Sequence, residues 1–295
     1  MSRRICAPTG AQLFSRCCCG EPDRKRTPVR AQSYTGNRLP VPRPCLVLGC
    51  GRSGTSLAAG LLAGAGYDLG PGLLAADPSN PRGFFESRAV NHLNERLLEP
   101  VVSGRVLGAS GRPASARPLR EGERWLATLP LDIEVPADAA LTEPMAASLA
   151  DHERPVARKD PRFVWTAPAW HELLPGAAML CVYREPLRTA RSILAMTDTG
   201  NLGLTLDGAL GVWASSYRRC LELSTRQPEQ WLFVHYDQLV DGSALGRVSD
   251  LLGTRVPPGF ADPSLRRSPT EGDVPGVVAD LFTRLEIEAE RLPSR

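Results

Sequence analysis

Cys45-Leu-Val-Leu-Gly-Cys-Gly-Arg-Ser-Gly-Thr-Ser56 decides the reading of this chain. Its first residues, Cys45 to Cys50, form a short and continuously apolar run, the signature of a strand buried on both faces. A glycine-rich turn follows, and then Leu57-Ala-Ala-Gly-Leu-Leu62, whose small apolar residues suit a tightly packed helix. Gly49 and Gly54 stand five residues apart with Thr55 and Ser56 directly after, so strand, loop and helix make a P-loop by shape. Backbone N–H groups in such a loop turn inward as an anion nest, and the helix adds its positive end.

Working outward, three more apolar runs read as strands: Val156 to Lys159, Met179 to Tyr183 and Trp231 to Tyr236. Segments long enough for crossover helices separate them, among them Pro186 to Met196 and Leu206 to Gln227. The alternation predicts an α/β fold, a P-loop-containing three-layer sandwich with a mostly parallel central sheet flanked by helices. Ligand chemistry belongs at the carboxyl ends of its strands. Val277 to Leu292 has apolar spacing near 3.6 and reads as a closing amphipathic helix. Pro100 to Arg154, rich in Pro, Ala and Arg, has no clear period and is left unassigned as a place for acceptor-binding insertions. No internal repeat is present.

Composition narrows the classes further. The 295 residues are 42% apolar and 23% charged, enough for a real core. A net charge of +3 gives no bulk electrostatic case for nucleic acid or an anionic membrane, so any anion site must be local. Residues 1–43 are basic and proline-punctuated and read as a disordered leader, leaving 44–295 as a single domain. The leader lacks the apolar core of a secretory signal, and the run Leu57 to Gly66 is about half of the ~20 residues that a membrane span needs. The expectation is a soluble, cytoplasmic protein. The eight cysteines, with Cys17, Cys18 and Cys19 adjacent, and the scattered His92, His152, His171 and His235 show no metal-ligand spacing. Reduced, unligated thiols and no metal are expected.

The loop lacks one feature of ATP-using enzymes. Where a kinase carries its loop lysine this chain has Thr55, and the strong cation is Arg52, inside the loop. A phosphoryl group in flight needs lysine and Mg²⁺ to neutralise several negative oxygens. A sulfuryl group carries a single charge, which amides, two hydroxyls and one arginine can hold. After the strand Met179 to Tyr183 comes Arg184, with Ser192 eight residues on and Pro186 suited to a helix's first turn. The pair is placed to clamp a second phosphate, an arginine fork with a hydroxyl.

A glycine loop followed, after a later strand, by Arg184 and Ser192 resembles the two-part nucleotide site of sulfotransferases that use 3′-phosphoadenylyl sulfate (PAPS). The loop is most similar to that of tyrosylprotein and related bacterial sulfotransferases. Asn80-Pro-Arg-Gly-Phe-Phe-Glu86, Lys159-Asp-Pro-Arg162 and Tyr236-Asp-Gln-Leu-Val240 match in the family's order, over roughly residues 45 to 270. The resemblance implies that Arg52, Ser53, Gly54, Thr55 and Ser56 contact the 5′ side of PAPS. It gives Arg184 and Ser192 the 3′-phosphate, and Tyr236 that phosphate or the adenine. It also implies Glu86 as general base, with Lys159 and Arg52 steadying the transition state, PAP as product, no required metal, and a hydroxyl or less readily an amine acceptor. That acceptor is a small molecule, carbohydrate or peptide. His92 is the alternative base. Arg266 and Arg267 resemble a basic segment that covers the nucleotide, while the Gly-x-x-Gly-x-x-Lys segment of cytosolic small-molecule sulfotransferases and the anchor of Golgi-type relatives are absent. The competing readings are an ATP–Mg²⁺ phosphotransferase and a non-catalytic nucleotide-binding module.

Overall fold

A computed structural model describes residues 41–107, 119–150, 153–197, 203–260 and 272–291. Four strands, β1 (Cys45–Leu48), β2 (Ala157–Lys159), β3 (Ala178–Tyr183) and β4 (Trp231–His235), pair in the order β2-β1-β3-β4, and every ladder is parallel. Each apolar run of the sequence becomes one of them. Strand residues alternate between two cores. Leu46, Leu48, Cys181, Tyr183 and Phe233 face one side, and Cys45, Val47, Leu180, Val182 and Val234 the other. Burial on both faces is why these strands read as unbroken apolar runs.

The first face is covered by α2 (Arg88–Val102), α3 (Ala139–Leu149), α4 (Phe163–Leu173), α5 (Pro186–Thr197), α6 (Leu206–Ser224) and α9 (Gly276–Glu290). The second is covered by α1 (Thr55–Gly64) and α8 (Leu245–Leu252), beside the short α7 (Tyr236–Val240). The result is the expected α/β three-layer sandwich. The stretch from Pro100 to Arg154 resolves, in its described part, into the end of α2, a 3-10 turn at Arg124–Leu126 and α3, whose N-cap Asp138 accepts from the Ala140 N–H. Tyr236 opens α7 instead of ending a strand, because the Asp237 N–H is capped by the ring of His235.

Register places the chemistry. Val47 lies opposite Lys159, Leu48 opposite Cys181, and Tyr183 opposite His235. The ends of all four strands therefore deliver the glycine loop, Lys159, Arg184 and Tyr236 to one edge of the sheet, the edge where parallel sheets bind ligands. At the far end Arg43 N donates to Leu252 O at 2.9 Å and Tyr67 Oη to Arg43 O at 2.9 Å. Residues 1–40, with the adjacent cysteines, lie outside the described residues, as do His152, Arg266 and Arg267. Among the described residues no helix is long and apolar enough to cross a membrane.

Candidate active site

A cavity of about 780 Å³ opens at the carboxyl edge of the sheet, lined by Arg52, Gly54, Thr55, Ser56, Glu86, Lys159, Arg184, Ser192 and Tyr236 together. Nine of the residues singled out from sequence thus meet in one place, although they span nearly two hundred positions. The loop is held in an unusual shape. Gly54 has φ +98° and a Cβ there would run into the Tyr236 ring, so only glycine fits beneath that tyrosine. Arg52 is left-handed at φ 73° without being glycine, a conformation costing of order 1–3 kcal/mol, held here by its side-chain bonds. Its Nε donates to Ser192 Oγ at 3.1 Å and its Nη2 to Ser79 O at 2.7 Å.

Glu86 and Lys159 form a buried pair, 8% and 4% exposed, with Lys159 Nζ on Glu86 Oε1. The other carboxylate oxygen, Oε2, accepts from Asn91 Nδ2 at 2.8 Å. Lys159 Nζ also stands 3.4 Å from Ser56 Oγ, which donates to Phe84 O at 3.2 Å and accepts from Asn80 Nδ2 at 3.1 Å. One hydroxyl therefore ties the anion loop to the acid–lysine pair. Phe85, directly before Glu86, is left-handed at φ 57° and packs edge-on against Phe260 at 5.3 Å, turning the carboxylate into the cavity.

Arg184 and Arg52 carry the electrostatics. Burial holds both guanidiniums below their ordinary value, and the Arg184 cation adds to the effect on Arg52. Arg184 lies over the Tyr236 ring at 4.7 Å, its Nε is buried without a hydrogen-bond partner, and no ion pair to it is formed among the described residues. Two desolvated arginines beside a nest of amides call for an anion.

The structure changes three expectations. Ser53 does not reach the cavity: its side chain is 0% exposed beneath the loop, and its N–H donates back to Cys50 O at 3.2 Å. The Arg184–Ser192 clamp is not formed, because Ser192 takes its hydrogen bond from Arg52, although both residues line the cavity. His235, read as isolated, is brought beside Glu185 and Asp237, since register sets β3 and β4 side by side. That trio makes a poor metal site. His235 Nδ1 accepts from Asp237 N at 3.3 Å, which leaves the proton of the neutral ring on Nε2, and Arg188 already stands 3.7 and 4.0 Å from the two carboxylates. His92 lies at the rim, 61% exposed and 3.6 Å from Glu121, without a hydrogen bond to Glu86.

Residues that sequence reasoning missed complete the wall. Asn91 is one; Glu95 is another, accepting from Arg162 Nε at 2.6 Å, while Arg162 also bonds Asp160 at 3.1 Å. Asp160 caps this turn by accepting from the Arg162 N–H at 2.8 Å. A sequence signal existed for Asn91 and Glu95, which stand one turn apart on the helix that begins directly after Glu86.

A family model described as "Sulfotransferase family" matches residues 44–256. The chain belongs to the sulfotransferase family. The match spans the glycine loop, Glu86, Lys159, Arg184 and Tyr236 of this sulfotransferase-family chain. Among solved structures it is similar to the sulfotransferase domain from the curacin biosynthetic pathway, at 14% identity and TM-score 0.47, over 83% of this chain and 98% of that one. It is also similar to the sulfotransferase domain of the Synechococcus PCC 7002 olefin synthase, at 18% identity and TM-score 0.46, over 86% and 97%. A third is a sulfotransferase from Alicyclobacillus acidocaldarius, at 16% identity and TM-score 0.47, over 85% and 97%. No curated protein sequence matches.

Proposed function

We propose that residues 44–295 act as one catalytic domain that moves a sulfuryl group from PAPS to the hydroxyl of an acceptor by in-line displacement. The carrying observation is two arginines, the buried Arg184 and the half-buried Arg52, in one cavity with the glycine loop and with the Glu86–Lys159 pair. Two cations in one cavity, Arg52 inside the loop and Arg184 directly after β3, suit a nucleotide with phosphates at both its 5′ and 3′ ends, which ATP lacks. Thr55 at the position of a loop lysine points the same way.

When bound, PAPS supplies the sulfuryl group: the acceptor oxygen bonds to sulfur as the bond from sulfur to the bridging oxygen of the 5′-phosphate breaks, leaving PAP. The amides of Gly54 to Ser56 and the Thr55 hydroxyl hold the 5′ side, and Arg184 with Tyr236 holds the 3′ side. Glu86 accepts the acceptor's proton. Lys159 has Glu86 on one side and Ser56 on the other, and a small swing lets its ammonium leave the carboxylate and meet the charge growing on the bridging oxygen. His92 is exposed at the rim of the same cavity and makes no hydrogen bond to Glu86, which favours Glu86 as the base.

Calorimetric titration with adenosine 3′,5′-bisphosphate tests the reading, with ATP plus Mg²⁺ as comparison. Micromolar or tighter binding of the bisphosphate, weakened at least tenfold by Arg184→Ala, is expected. Preferential Mg²⁺-dependent binding of ATP would sink it. A non-catalytic module would bind the bisphosphate equally well and show no turnover for Glu86→Ala to abolish.

A further inference from the structure

The stretch Asp77-Pro-Ser-Asn-Pro-Arg-Gly83 has the composition of two successive turns, with a proline directly after the first residue of each and glycine at the end. Both are formed: Asn80 N donates to Asp77 O at 3.0 Å, and Gly83 N to Asn80 O at 3.0 Å. The chain leaves the body of the fold at Leu74 and returns at Glu86, and Leu74 N donates to Glu86 O at 2.8 Å. The excursion is thus closed at its base, in the manner of a compact surface loop, and it ends on the proposed base. Its tip is organised by a single atom. Asp77 Oδ1 accepts from Ser79 N at 2.8 Å, from Ser79 Oγ at 2.7 Å and from Asn80 N at 2.9 Å.

The two residues that Asp77 fixes are the two that hold the anion loop. Ser79 O accepts from Arg52 Nη2 at 2.7 Å, and Asn80 Nδ2 donates to Ser56 Oγ at 3.1 Å. Arg52 and Ser56 flank Gly54, so the turn grips the loop on both sides of its tightest point. Ser79 and Asn80 line the cavity, whereas Asp77 is exposed and stands outside its wall. Hydrogen bonds from Ser79 and Asn80 hold the Asp77 carboxyl below the usual carboxylate range, so at neutral pH it is an ionised acceptor. Without the Ser79 carbonyl, the Arg52 guanidinium would keep Ser192 Oγ as its anchor and regain freedom that nucleotide binding must then remove. Charge alone gives the opposite sign. The Asp77 charge is felt at Arg52, and a carboxylate near an anion site repels an incoming anion, so by Coulomb's law its removal would tighten binding.

We propose that Asp77 is a positioning residue for the nucleotide site: it touches no nucleotide, but its Oδ1 builds the turn that sets Arg52 and Ser56 for the 5′ side. The inference rests on the sulfuryl-transfer reading, which gives the loop to the nucleotide and assigns nothing to Asp77. It makes the carboxylate's geometry outweigh its charge. It also confines the effect to the 5′ side, because Arg184 and Tyr236, which hold the 3′ side, make no bond to this turn.

The test is calorimetric titration of the full chain with adenosine 3′,5′-bisphosphate and with adenosine 3′-monophosphate, for wild type, Asp77→Ala and Asp77→Asn, beside urea unfolding of each. Asp77→Ala is expected to weaken bisphosphate binding by about fivefold or more, with affinity for the 3′-monophosphate and the urea midpoint both near wild type. Asp77→Asn keeps an Oδ1 acceptor without the charge and should hold bisphosphate affinity within about twofold of wild type. Unchanged or tighter bisphosphate binding by Asp77→Ala overturns the proposal, as does an Asp77→Asn protein as weak as Asp77→Ala. An equal loss for the 3′-monophosphate, or a collapsed urea midpoint, also overturns it, since Asp77 would then support the fold in general. In each of those cases bisphosphate binding by wild type leaves the sulfotransferase reading standing. Failure of wild type to bind the bisphosphate removes both.

Discussion

Glu86 and Lys159 are each other's partner in the interior, and removing either half leaves a buried charge. Lys159→Ala leaves a carboxylate 8% exposed with Asn91 as its remaining hydrogen-bond donor, which should cost about 3–5 kcal/mol in urea unfolding. Glu86→Gln keeps shape and removes the base but leaves the Lys159 ammonium buried without a counter-ion, so the expected outcome is a stability loss of about 3–5 kcal/mol in urea unfolding, unchanged bisphosphate affinity, and turnover reduced by roughly 10²–10⁴. Equal turnover in Glu86→Gln and wild type would move the proton acceptor elsewhere. The buried thiols make a separate point. Burial pushes Cys45 and Cys50 up to about 12, and Cys181 is raised as well. A raised value leaves little thiolate at pH 8.5. Iodoacetamide at that pH should therefore spare Cys45, Cys50 and Cys181 in the native protein and modify them in urea, as read by peptide mass spectrometry.

Among elements, the loop between β1 and α1 is the least tolerant. Gly54→Ala would place a methyl group against the Tyr236 ring at a backbone angle that alanine resists. Bisphosphate affinity should fall at least tenfold and stability by about 1–3 kcal/mol, measured by calorimetry and urea unfolding. This loop was legible in sequence because its glycines, hydroxyls and arginine are contiguous, and the strands because each is buried on both faces. The 3-10 turn carrying Trp125 was not legible. It holds by the long-range bonds of Arg124 to Glu95, twenty-nine residues away, and such fastening leaves no hydrophobic period behind. Ser53 misled for the opposite reason: proximity in the motif said nothing about which way its hydroxyl points. Ser192 was placed at the right edge, but the identity of its arginine depended on the turn of the loop at Arg52.

At the scale of the whole molecule, the parallel register is what turns scattered residues into a site, and no local pattern could reveal that His235 sits by Glu185 across two strands. The same register has a temporal side. β1 lies in the middle of the sheet, and both its neighbours, β2 and β3, come from more than a hundred residues further along the chain. On the ribosome, at roughly 5–20 residues per second, the emerging Cys45–Leu48 segment must wait on the order of 5–20 seconds for a hydrogen-bonding partner. Throughout that interval its apolar side chains and open backbone edges are exposed, so a nascent chain stalled before Ala157 is a natural client for a chaperone that shields sticky, half-made sheets.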